Sequence, residues 1–193
     1  MHKVNNNPFF AFTTNYSSIS NILFNTIKVN TPILEKNPVN IHEGTEVKAI
    51  WDTGATNSVI SSKVVKMLDL KPVSKVFVNT ANGKTEQYVY YVSMFLPNKV
   101  LIPLVKVTEC SDISDNEFDM LIGMDVINQG DLAISNLNGI TKFSFRIPSM
   151  KEIDFVETAG IIRKQMIKKV DKEAKRKERK KNRKNKKTKK KKK

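Results

Sequence analysis

The sequence predicts an all-β domain between residues 41 and 148, followed by a basic tail that runs from helix into disorder. Three observations predict it. From Gly44 to Pro148 the chain is mostly short β-rich runs separated by turn residues. Asn82-Gly83 stands between two such runs, where a tight hairpin turn is favoured. Charge is segregated: residues 163–193 hold 20 Lys and Arg against three acids, Asp171, Glu173 and Glu178, a local net of +17. With +15 on the whole 193-residue chain, residues 1–162 sit at −2, so a near-neutral body carries a strongly basic appendage.

Taken in order, residues 1–40 are rich in Asn and Thr and interrupted by Pro8, Pro32 and Pro38, which reads as an arm with one strand at Ile22–Val29. Val47–Trp51 is a strand ending at Asp52. Ser61–Leu68 offers a Ser cap and an apolar face, which suits a short helix. Val76–Ala81 and Lys84–Val92 form the hairpin around Asn82-Gly83. Further strands are expected at Val100–Val107, Met120–Ile122, Ala133–Ser135 and Thr141–Arg146, with a second short helix at Met124–Gln129 closed by Gly130. Residues 149–193 begin helix-prone and become almost pure Lys, Arg and Asn; like charges repel there and nothing apolar is left to bury.

Composition excludes several function classes. Cys110 is the only cysteine, so no intrachain disulfide forms. His2 and His42 are far apart and no spacing suggests a metal site; the acids Glu109, Asp112, Asp115, Glu117 and Asp119 lack the glycine and closing Glu of a calcium loop. No cofactor is expected. Pro8 breaks the N-terminal apolar run, a poor secretory signal, and no apolar stretch approaches the ~20 residues that span a bilayer. A soluble cytoplasmic protein is the expectation, with the Lys-rich run serving as a nuclear address in a eukaryotic cell.

Chemistry points to Asp52-Thr53-Gly54-Ala55, which follows the apolar strand and precedes Val59-Ile60. An acid at a strand end, followed by a small hydroxyl and a glycine, suits a backbone loop that presents a carboxylate at a cleft. Gly54 lets the chain turn and another backbone approach; Thr53 supplies a donor to fix the loop. Alone, this triplet is a weak signal, and an Asp closing a turn between two strands is the favoured explanation of it. Downstream, however, Met120-Leu121-Ile122 meets Gly123 and enters a helix, repeating the strand–loop–helix pattern of residues 47–68.

Ile50-Trp51-Asp52-Thr53-Gly54-Ala55-Thr56, Thr80-Ala81-Asn82-Gly83 and Leu121-Ile122-Gly123-Met124-Asp125 together resemble, in order and spacing, the retropepsins, the retroviral-type aspartic proteases, and in particular their cellular and bacterial-like relatives. The resemblance covers residues 45–148 and implies a closed β-barrel, equivalent to one lobe of an acid protease, with one or two short helices. It implies Asp52 as the catalytic acid. Thr53 would lock two such loops across a dimer, Gly54 would meet the substrate backbone, and Ala55 would complete the loop. Ala81, Asn82 and Gly83 would form the tip of a mobile flap, and Ile122 and Gly123 would support the loop from below. Retroviral members often carry an Asp after Asp-Thr-Gly-Ala and an Arg after the downstream Gly, which help to hold their dimer; here those positions are Thr56 and Met124.

Hydrolysis of this kind needs two carboxylates sharing one proton, and the chain supplies Asp-Thr-Gly once. A homodimer that pairs Asp52 with its symmetry mate resolves this, and a peptide is the expected substrate. Val59, Ile60 and Ile122 fit an apolar substrate site but fit an ordinary core better. The alternative is a catalytically silent dimer of the same fold, tethered to nucleic acid through residues 163–193, whose Lys and Arg would bind phosphate backbones without sequence preference. No aromatic residue interleaves that run, which leaves base stacking without support.

Overall fold

The computed structural model describes residues 4–7, 11–33, 44–80, 83–110, 113 and 117–190. Its strands are β1 (Val4–Asn7), β2 (Ala11–Asn15), β3 (Phe24–Asn30), β4 (Thr45–Trp51), β5 (Val59–Ser61), β6 (Ser74–Thr80), β7 (Gly83–Phe95), β8 (Leu101–Cys110), β9 (Met120–Ile122), β10 (Asp131–Ser135) and β11 (Lys142–Arg146). The helices are α1 (Ser62–Met67), α2 (Met124–Ile127) and α3 (Phe155–Lys190), with a 3-10 turn at Leu137–Gly139. Residues 1–150 make one compact unit and residues 151–193 a second.

Period-two alternation writes the barrel. In β4 the side chains of Val47, Ala49 and Trp51 are buried, while Lys48 and Ile50 between them are not fully covered. β3, β4, β9, β5, β8 and β7 are hydrogen-bonded in that order. β3 then returns to pair with β7 through Lys28↔Phe95, Val29↔Met94 and Asn30↔Ser93, which closes the ring. The expected closed barrel is therefore present, and closure leaves no unpaired edge along those strands. β6 stands outside the ring as the hairpin partner of β7.

A second antiparallel sheet, in the order β1-β2-β11-β10, joins the start of the unit to its end. Phe12 of β2 and Phe143 and Phe145 of β11 pack around Trp51, with ring centroids 4.8–5.8 Å from the indole. Residues 11–33 thus share the core of the barrel and do not form a separate arm. Two strands, β1 and β2, were not expected there. Their sequences read as polar, and β2 is held by β11, some 130 residues away, so nothing local announces it.

Helix α1 begins where the Ser cap was expected: Ser61 Oγ accepts from the Val64 amide at 3.4 Å, and Val64 and Val65 are buried. α2 is shorter than its sequence pattern. The second unit is one helix, α3, as the helix-prone start of the tail predicts; Lys, Arg, Glu and Ala are all strong helix formers.

Candidate active site

The site is built where β4 ends. The Trp51 amide donates to Leu23 O at 2.8 Å, its indole Nε1 donates to Asn25 Oδ1 at 3.2 Å, and Asn25 in turn donates to Thr14 Oγ1 at 3.4 Å. Asn25 and Thr14 are buried, so each finds its partner inside the protein. This fixes the residue immediately before Asp52 from behind, using two strands of the N-terminal region.

Asp52 leaves β4 with its amide donating to Ile122 O at 2.9 Å, so the loop springs from the junction of the parallel strands β4 and β9. Its Oδ1 accepts from the Gly54 amide at 2.8 Å, and the Ala55 amide donates to Asp52 O at 3.3 Å. Thr53 and Gly54 are exposed, and Asp52 and Ala55 are half-buried. The carboxylate therefore stands on an open face of the unit and is oriented by the backbone of its own turn.

The loop is clamped from below by the start of α2. The Met124 amide donates to Ala55 O at 2.8 Å and the Asp125 amide to Thr56 O at 3.2 Å. Gly123 is sterically required: a Cβ there would lie 2.6 Å from Asn57 C and 2.9 Å from Ala55 O. Ile122 is fully buried. The structure thus brings Asp52, Thr53, Gly54, Ala55, Ile122 and Gly123 together as one constellation.

Ser58 and Asp125 complete the clamp, and the sequence reading had not assigned them to it. The Asp125 carboxylate accepts from the Ser58 amide at 3.0 Å and from Ser58 Oγ at 2.8 Å. Ser58 Oγ accepts from the Gly123 amide at 3.1 Å, and Ser58 is fully buried. The available signal was an acid directly after the Ile122–Met124 turn, in the first turn of a helix, where a carboxylate is favoured. Asp119 is also committed, accepting from the Lys48 amide at 3.1 Å and from Lys63 Nζ at 2.8 Å. Of the three aspartates flanking β4 and β9, Asp52, Asp119 and Asp125, only Asp52 has its carboxylate hydrogen-bonded by nothing beyond its own turn among the described residues.

The expected flap is a β-hairpin, β6–β7. Ala81 and Asn82 lie outside the described residues. Gly83 opens β7 opposite Thr80 with φ 114°, a backbone angle that side chains disfavour. Asn82-Gly83 as the two turn residues would have paired Ala81 with Lys84; the ladder instead pairs Asn79 with Lys84. Cross-strand contacts account for that register. Lys75 lies opposite Tyr88, with Nζ 4.9 Å from its ring, and bonds Glu86 at 2.9 Å, while Lys84 Nζ lies 5.0 Å from the Phe77 ring. The hydrogen bond to Glu86, and then its charge, hold the Lys75 ammonium above its ordinary value.

Between loop and hairpin lies a cleft of about 490 Å³, lined by Gly54, Ala55, Thr56, Asn57 and Val59 on one side and Val76, Phe77 and Val78 on the other, with Lys106 and Thr108 at its floor. It is open and of mixed polarity, and Phe77 is 67 % exposed. Among the described residues no three His, Cys, Asp or Glu side chains group in a way that would hold a metal ion.

Residues 38–129 match the sequence model of the family described as gag-polyprotein putative aspartyl protease. No curated protein matches the chain. Among solved structures, it is similar to a retropepsin-like aspartic protease from Rickettsia conorii, at 13% identity and TM-score 0.44 over 76% of this chain and 98% of that one. It is similar to the simian foamy virus protease at 20% identity and TM-score 0.35, over 52% of this chain and 86% of that one. The retroviral protease-like domain of Ddi1 from Leishmania major is a third, at 17% identity and TM-score 0.38, over 71% and 100%. The family match spans the Asp52 loop, the hairpin and the Ile122–Gly123 support, and over residues 38–129 the chain is similar to the retropepsin-like aspartic proteases.

Proposed function

We propose that the protein is an aspartic endopeptidase, active only as a homodimer in which Asp52 of each copy meets the other. The observation that carries this reading is the contrast among the acids: Asp119 and Asp125 spend their carboxylates on amides and side chains of their own unit, while Asp52 is presented on an exposed loop beside the cleft. One outward carboxylate per chain becomes a catalytic pair when two loops face each other.

In such a pair, two adjacent carboxylates cannot both ionise cheaply, so one holds the shared proton. The ionised member takes a proton from water as its oxygen attacks the scissile carbonyl carbon. The protonated member gives its proton to the carbonyl oxygen. Collapse of the resulting gem-diol breaks the C–N bond, with a proton delivered to the leaving nitrogen. Thr53 and Gly54 would hold the loops together and meet the substrate backbone, and the tip of the β6–β7 hairpin would close over the peptide and exclude water.

The test is hydrolysis of a peptide library by the purified protein, with and without a statine-type inhibitor. Asp52→Asn should lower the rate by about 10³-fold or more while leaving the unfolding midpoint within a few degrees. Undiminished cleavage by that variant would remove Asp52 from the mechanism.

A further inference from the structure

Helix α3 carries an apolar stripe that nothing in the protease reading uses. At about 100° per residue, Phe155, Ala159, Ile162, Met166 and Val170 fall within an arc of about 80°. All are exposed, Phe155 at 71 % and Met166 at 63 %. Arg163 and Lys169 border this stripe on either side, and Lys164, Lys168 and Lys175 occupy the opposite face. No helix is long and apolar enough to cross a membrane among the described residues.

We propose that α3 lies along an anionic lipid surface, with the Phe155–Val170 stripe sunk among the acyl chains and the surrounding Lys and Arg at the headgroups. A nucleic acid would take the positive charge but leave the stripe in water. A second copy of the helix would cover the stripe but bring Arg163 and Lys169 against like charges, since the positions bordering the stripe from Phe155 to Val170 carry no acid and Glu173, the acid on this face, lies beyond the stripe, four residues after Lys169. A bilayer of negative surface charge satisfies both faces at once: long basic side chains reach up to the headgroups while apolar ones point down. The +17 of residues 163–193 adds attraction that salt weakens.

The experiment is co-sedimentation of the full chain with vesicles of phosphatidylcholine alone and of phosphatidylcholine mixed with phosphatidylserine. Binding is expected to the mixed vesicles and to fall with added salt. The pair Ile162→Ser and Met166→Ser leaves every charge in place and should weaken binding about ten-fold or more. Ile161→Ser, exposed but off the stripe, should leave it unchanged. Equal losses in the two variants, or none in the pair, would overturn the proposal. So would capture by homopolymeric RNA with no vesicle binding, or a change of oligomeric state in the double variant without lipid, which would give the stripe to a second copy.

Discussion

Ser58 is small, buried and bonded on every side, and the Asp52 loop hangs from it. Its amide and hydroxyl donate to Asp125, its hydroxyl accepts from Gly123, and its carbonyl accepts from the Thr108 amide at 3.3 Å. Ser58→Ala would strand the Gly123 amide in the interior, while each Asp125 oxygen keeps a backbone amide donor, at a cost of about 1–3 kcal/mol, read from denaturant midpoints at neutral pH. Gly123→Ala acts on the same clamp by crowding, since its Cβ would strike the Asn57 backbone. It should cost about 1–3 kcal/mol and lower peptide cleavage further than Ser58→Ala at equal folded fraction, because it pushes the loop itself. Cleavage equal to the parent in Gly123→Ala would show that the clamp does not position Asp52.

Between elements, the β10–β11 ladder carries a pH-dependent tie. Asp131 and Arg146 are directly opposed, and the Asp131 carboxylate accepts from Ser149 Oγ at 2.5 Å, the Met150 amide at 3.0 Å and Arg146 Nε at 2.9 Å. The Ser149 hydroxyl, then the Met150 amide and the Arg146 guanidinium, hold this carboxyl far below its ordinary 3.8. A carboxyl depressed in the folded state binds fewer protons there than in the unfolded chain, so its contribution is complete above about pH 4 and fades as pH falls. Asp131→Asn should therefore lower the thermal midpoint at pH 7, and the gap to the parent should narrow from pH 4 toward pH 2. A gap constant with pH would mean that the tie owes nothing to ionisation. The hairpin register belongs to this scale as well. Asn82-Gly83 signalled a turn from sequence, but the pairing of Thr80 with Gly83 follows from which side chains meet across the strands.

For the whole molecule, the proposed function makes activity depend on assembly. If the active unit contains two copies, the initial cleavage rate should rise with the square of protein concentration when dilute and become linear once dimers dominate. A rate linear from the lowest measurable concentration, with sedimentation showing only monomer, would end the two-copy reading. At Thr56 and Met124, where retroviral members often place an ion pair, this chain has backbone bonds from α2 to the loop, so the expected dimer rests on other contacts.

The sequence by itself determined the short-range features. β4, β9, both small helices and the existence of the hairpin follow from alternation, a Ser cap and Asn-Gly, because each depends on residues within a few positions of one another, whereas the link of Asp52 and Gly54 to Gly123 was implied only by the resemblance of ordered motifs. Only the tertiary structure decided that β2 pairs with β11, that Phe12, Trp51, Phe143 and Phe145 share one core, and that Asp125 serves Ser58. Ser58 and Asp125 lie 67 residues apart, and Thr13 and Ser144, bonded across β2 and β11, lie 131 apart. Pairing at that range is chosen by burial and hydrogen-bond satisfaction across the folded unit, and no local pattern records it.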